Sequence, residues 1–156
     1  MMGDPALAPE KTMARSLAAF FLLLALAFGA SVPARAQVVS EVDAHAARTV
    51  VSAQLEAFAH DDAKRAFSYA APSIRTMFGT PERFLAMVRS SYPVVYRAAG
   101  VTFLIPVRVE SDMIQGVHLS DADGALWLAT YRLERQPDGS WRIAGCGLQP
   151  ATGKMI

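Results

Sequence analysis

One cysteine, Cys146, is all the thiol chemistry that 156 residues contain. No internal disulfide can form, so a packed core has to hold the fold together. Lysine is nearly as scarce, with only Lys11, Lys64 and Lys154, and arginine makes up most of the 15 basic residues that face 14 acidic ones. A net charge of +1 offers no field for gripping nucleic acid or an anionic lipid surface. Glycine-rich phosphate loops, Gly-x-Ser-x-Gly elbows and paired metal-ligand motifs are also missing, which removes the sequence basis for nucleotide, serine-hydrolase and structural-zinc chemistry. No cofactor is expected.

What the chain does have is apolar residues, at 53% of the total, too many for a disordered segment. They are concentrated near the N-terminus. Leu17 to Ala30 carries no charge, follows Lys11 and Arg15, and precedes small residues at Ala34 and Ala36. This is the three-part pattern of an export signal, with cleavage expected between Ala36 and Gln37 and Met13 as the expected start. A retained anchor fits less well, because 14 helical residues reach about 21 Å against about 30 Å of hydrocarbon. No stable membrane span is expected once the signal is cleaved. Residues 1–36 are therefore read as the signal and residues 37–156 as one exported domain, periplasmic or secreted. It is formally neutral, with 12 charges of each sign.

Within that domain the periodicity is first helical and then alternating. From Val38 to about His60, Val39, Val42, Ala46, Val50, Ala53 and Ala57 form a stripe widened by Val51, Leu55 and Phe58, which predicts one long amphipathic helix. Asp61 and Asp62 are suited to cap a short helix over Ala63 to Ala70, before Pro72 redirects the chain. Gly79 ends a further helical turn, and Thr80-Pro81 opens a third helix with Phe84, Met87, Val88 and Ser91 on one face. From Val101 the period drops to about 2. Val101, Phe103, Ile105, Val107 and Val109 predict one face of a long half-buried strand, with Pro106 marking an edge or a bulge. Turns at Ser111-Asp112, Asp123-Gly124 and Gln136 to Gly139 divide the rest into strands over Met113–Asp121, Ala125–Arg135 and Trp141 to about Leu148. The expected class is α+β, with three helices packed on a curved antiparallel sheet of four to six strands.

This order of elements resembles the NTF2-like (SnoaL, ketosteroid-isomerase-like) superfamily, a cone of curved sheet around helices that often encloses a pocket. More narrowly, Phe58-Ala59-His60-Asp61-Asp62, Ala66 to Pro72, Met77-Phe78-Gly79-Thr80, Phe84 to Val88, Tyr92 to Arg97 and Asp138 to Cys146 resemble the DUF4864 family of uncharacterised, often exported bacterial proteins. The resemblance implies the fold and assigns no activity.

An isomerase of the ketosteroid type needs a carboxylate base and a pair of hydrogen-bond donors in its pocket. Here Asp112, Asp121, Asp123 and Asp138 fall in predicted turns, and Asp43 and Glu56 lie on the first helix, so no catalytic residue is assigned. Alternation turns His118 away from the core-facing pair Val117 and Leu119. His60-Asp61-Asp62 is read as capping, His45 as isolated, and Asp121 to Gly124 as a hairpin that lacks the later ligands of a calcium loop. No metal site is assigned. Cys146 is read as a structural thiol, with redox and catalytic roles kept as alternatives. The positive feature is aromatic surface, and Tyr92, Tyr96, Trp127 and Tyr131 are the candidate ligand-binding residues. The function carried forward is non-catalytic binding of a small apolar ligand or a protein partner. Two alternatives stay open: a structural role as a homodimer or envelope-assembly component, and a pocket enzyme of isomerase or cyclase type.

Overall fold

The computed structural model of the chain describes residues 38–151, and the export segment expected over residues 1–36 lies outside them. Within the described residues five helices precede five strands: α1 (Glu41–Ala59), α2 (Ala63–Ser68), α3 (Pro72–Phe78), α4 (Pro81–Ser91), α5 (Pro93–Tyr96), β1 (Gly100–Phe103), β2 (Val107–Val109), β3 (Asp112–Ser120), β4 (Leu126–Arg135) and β5 (Trp141–Pro150). All strand pairs are antiparallel, in the order β1, β3, β4, β5, with β2 also on β3. The α+β class with helices against one face of an open sheet is as expected. The helices are five rather than three, because the turn before Gly79 forms α3 and the Pro93 segment forms α5. Among the described residues no helix is long and apolar enough to cross a membrane.

Local chemistry sets the helix ends. Ser40 caps α1 by accepting from the Asp43 amide at 3.1 Å, which starts the helix at Glu41 and leaves Val38 and Val42 in solvent, Val42 at 79% exposure. The buried residues of α1 are Ala47, Val51, Gln54, Leu55, Ala57 and Phe58, so Ala57 of the expected stripe is in the core and the residues expected to widen it form most of the buried face. Asp62 caps α2 through the Arg65 amide at 3.0 Å. Asp61 does not cap. It sits in the left-handed region at φ 58, a conformation aspartate tolerates better than most side chains. From there it accepts from Arg89 at 2.7 Å, Arg97 at 3.0 Å and the Tyr96 hydroxyl, tying the α1–α2 junction to α4 and α5. Thr80 caps α4, whose core face is Phe84, Leu85 and Val88; Met87 is half-buried and Ser91 exposed.

The inner sheet face carries Met113, Gln115, Val117 and Leu119 from β3 and Ala129, Tyr131 and Leu133 from β4, all at most 1% exposed. His118 lies on the opposite face, as alternation requires. The edge is less regular. Leu104 to Pro106 interrupt the predicted long strand, and pairing shifts from Phe103↔Val117 to Val107↔Ile114. That one-residue slip exchanges faces. Val101 and Phe103 share the inner side with Leu119 and Val117, whereas Val107 and Val109 turn outward and Ile105 is 88% exposed. The expectation that all five would form one buried face is thus corrected. The slip instead turns Arg108 inward, where it pairs with Asp43 of α1 at 2.8 Å. A second irregularity between Arg132 and Leu133 leaves Ala144 as the extra residue of β5. Beside it the chain from Tyr69 to Ala71 docks on β5, with the Ile143 amide donating to Tyr69 O and the Ala71 amide donating to Ile143 O, both at 2.8 Å.

Candidate functional site

Between the helical layer and the β4–β5 part of the sheet lies a cavity of about 280 Å³. α1 supplies Gln54 and Phe58, α3 supplies Ile74, Met77 and Phe78, and α4 supplies Phe84, Met87 and Val88. Tyr92 and Val95 close one side, and Tyr131, Ile143 and Cys146 form the sheet wall. Met77 is exposed and Ile74, Met87 and Tyr92 are half-buried, which puts the mouth between α3 and α4; Phe58, Val88 and Tyr131 are deep. α3 and α4 line the void with long, flexible or aromatic side chains whose rings meet tilted or T-shaped. Phe84 packs on Phe58, Phe67 and Phe78 with ring centroids 5.4 to 5.8 Å apart, and the thioethers of Met77 and Met87 are deformable walls.

No lining residue is Asp, Glu, Lys, Arg or His. Three lining side chains carry an ionisable group, Tyr92, Tyr131 and Cys146, and burial displaces the last two. Burial pushes the Tyr131 hydroxyl well above the ordinary phenol range, with the nearby Cys146 thiolate adding to the shift. Burial likewise pushes the Cys146 thiol up to about 12, partly opposed by the Tyr131 hydroxyl beside it. Both groups are neutral at physiological pH. Cys146 Sγ points to the Gly147 carbonyl at 3.7 Å, and the Tyr131 hydroxyl has no hydrogen-bond partner. A thiol this reluctant to ionise is a poor nucleophile. Alkylation of native Cys146 by iodoacetamide at pH 8 is accordingly expected to run on the order of a thousandfold slower than in denaturant. Mass spectrometry of both reactions checks this, and comparable rates would contradict the burial argument.

Of the four aromatic residues singled out from sequence, Tyr92 and Tyr131 line the cavity and Tyr96 and Trp127 do not. Tyr96 is held at the surface by Asp61, with Arg89 and Arg97 on its ring at 5.0 and 4.9 Å. Trp127 donates Nε1 to Asp121 at 3.1 Å, and the same carboxylate organises the β3–β4 turn by accepting from the Asp123 and Ala125 amides. Each ring was drawn to a carboxylate placed by a turn, which spacing along the chain does not reveal. Sequence reasoning missed Gln54. It is 3% exposed on the core face of α1, with Nε2 committed to the Ala66 carbonyl at 3.1 Å, and a glutamine within an apolar stripe was the available signal. His45 and His60 are exposed on α1 and just beyond its end, and among the described residues no three His, Cys, Asp or Glu side chains group as metal ligands. A wider depression between α1 and β1, lined by Leu55, Glu56, Ala98 and Phe103 among others, is open to solvent and holds no buried unpaired polar atom.

The profile of a family described as "Domain of unknown function (DUF4864)" matches residues 40–156. No curated protein and no solved structure is significantly similar to the chain.

Proposed function

The chain belongs to the DUF4864 family, and from that premise we propose that it is a non-catalytic, exported binding protein whose NTF2-like cone takes a small apolar molecule into the cavity between α3, α4 and β5. The observation that carries this reading is a cavity without Asp, Glu, Lys, Arg or His, lined mostly by apolar side chains, whose sheet wall presents a phenol and a thiol that are both held neutral. Acid–base catalysis needs a group that exchanges protons near the working pH, and neither the phenol nor the thiol does so here. Apolar lining with a few polar atoms is instead the usual make-up of a small-molecule site. The export signal expected over residues 1–36 would place that binding in the periplasm or outside the cell.

Size limits the occupant. A cavity of about 150 Å³ holds benzene, so one of about 280 Å³ takes roughly eleven heavy atoms. At roughly 0.5 kcal/mol per atom this corresponds to a Kd on the order of 100 µM for a plain apolar probe. Met87→Trp fills the mouth from a half-buried position and is expected to weaken probe binding at least about tenfold while changing stability by less than about 1.5 kcal/mol. Titration followed by amide chemical shifts, together with native mass spectrometry of protein purified from its own host, is the test. Unchanged affinity in Met87→Trp would remove the cavity as the binding site.

A further inference from the structure

One edge of the sheet lies open beside the cavity mouth. β5 pairs with β4 on one side, and on the other the chain covers only its start, where Tyr69 to Ala71 pair with Ile143. Bonded and non-bonded positions alternate along an antiparallel pair, and just past the end of β5 the Ala151 amide donates to Leu126 O at 2.9 Å. From that bonded pair the alternation runs back to Leu148 and Cys146 as residues whose N–H and C=O face away from β4. Among the described residues no backbone group pairs with them there. The opposite edge is blunted by the short strands β1 and β2 and by the break at Pro106, whereas Gly145 to Gln149 holds neither charge nor proline. Gly147 adds to this. Its φ is not positive and a Cβ added there meets nothing within 4 Å, so the fold does not require a residue that weakens a strand. Glycine at such a position suits the close approach of another backbone.

The free edge and the cavity are continuous. Gly145 and Cys146, half-buried on β5, line the cavity together with half-buried Ile74 and exposed Met77. A residue placed opposite Cys146 on this edge shares its face of the sheet, which is the face that walls the cavity. Resting on the binding reading above, we propose that the apolar group taken by the cavity is an aromatic side chain, tryptophan in size, carried by an extended peptide that adds to β5 as a strand along Cys146 and Leu148. Main-chain bonds supply the affinity, and the cavity selects the side chain. The roughly eleven heavy atoms admitted by about 280 Å³ match the about ten of tryptophan and leave phenylalanine loose. A lining without Asp, Glu, Lys, Arg or His favours an uncharged side chain. The β5 edge of a second copy fits less well, because it sets nothing larger than Leu148 against the cavity.

Four uncharged probes separate strand from side chain: acetyl-Val-Thr-Trp-Thr-Val-amide, its alanine analogue, its analogue N-methylated at tryptophan and the next residue, and 3-methylindole, the side chain alone. The two methyl groups block pairing in either strand direction. In calorimetric titrations the tryptophan peptide is expected to bind at least about tenfold tighter than 3-methylindole and to lose at least about tenfold on N-methylation, with no binding by the alanine analogue. Hydrogen exchange at the Cys146 and Leu148 amides is expected to slow at least about tenfold with the peptide and to stay unchanged with 3-methylindole. Indifference to N-methylation, or protection on β1 and β2 in place of β5, overturns the proposal. So does a free protein whose Cys146 and Leu148 amides are already protected, by a second copy if it sediments as a dimer and by its own chain if it does not. If 3-methylindole binds and the peptide binds no tighter, the strand is overturned and the apolar site stands. If none of the four binds, the binding reading itself fails and takes this inference with it.

Discussion

Phe84→Ala is expected to cost about 3–4 kcal/mol of folding free energy, the largest effect of any single truncation considered for this domain. Phe84 is 7% exposed and sits at the centre of four aromatic rings contributed by α1, α2, α3 and α4. Its removal takes away the transfer free energy of a whole ring and three aromatic contacts at once. The ring also borders the cavity, so part of its surface already lacks close partners, which holds the cost to the lower part of the usual range for such truncations. Urea denaturation should show a lower midpoint with an unchanged slope, and the melting temperature should fall by roughly 10–15 °C. Phe84→Leu, which keeps most of the volume, should cost about 1–1.5 kcal/mol. A loss below about 1 kcal/mol for the alanine variant would mean that the four helices are not held together by this cluster.

The second large effect belongs to a polar contact. Asp43→Ala is expected to destabilise the fold by about 2 kcal/mol. Asp43 accepts from Arg108 at 2.8 Å and from Trp141 Nε1 at 3.2 Å, with the Asp43 and Arg108 side chains only 17% and 20% exposed. Arg108 and Arg135 both lie against the Trp141 ring, so removing the carboxylate leaves two guanidinium groups around an indole whose N–H has lost its acceptor. Asp43→Asn keeps an acceptor for Trp141 and should cost about half as much. Acid provides an independent reading. Burial alone raises the Asp43 pKa, but Trp141, Ser40, Arg135 and Arg108 together hold it below its ordinary value. The unfolded chain therefore binds the proton first, so this contribution is complete above pH ~4 and is lost as pH falls through the lower folded value. Asp61, Asp121 and Asp138 shift in the same direction, held down chiefly by Tyr96, Trp127 and Ser140 respectively. The domain is expected to lose stability below pH ~4, and Asp43→Asn should flatten that slope. An identical acid limb in the variant would exclude Asp43 from it.

Both effects depend on features that periodicity shows only in part. Phe84 is recognisable as a core residue because it starts an i, i+3, i+4 pattern on α4, and Pro81 and Thr80 define where that helix begins. Its three aromatic partners come from other helices, and no local pattern predicts that they converge. Arg108 is more instructive. Alternation along Val101 to Val109 puts it on the polar face, and the break at Leu104 to Pro106 turns it inward to Asp43. Pro106 did signal an irregular edge, but a proline marks where pairing is interrupted and not how many residues the interruption absorbs.

Sequence alone determined that this is an α+β domain, helices before an antiparallel meander, with Val117 and Leu119 facing the core, because those assignments rest on periods of about 3.6 and 2 and on turn residues that act locally. It also singled out Tyr92 and Tyr131. Tertiary structure alone decided that these two share a cavity while Tyr96 and Trp127 pair with Asp61 and Asp121, and that the Tyr131 hydroxyl has no partner. The physical reason is that a cavity and an unpaired hydroxyl are sums over groups far apart in the chain. One slip of register or one left-handed aspartate changes which groups meet, while leaving the local pattern that defines each element untouched.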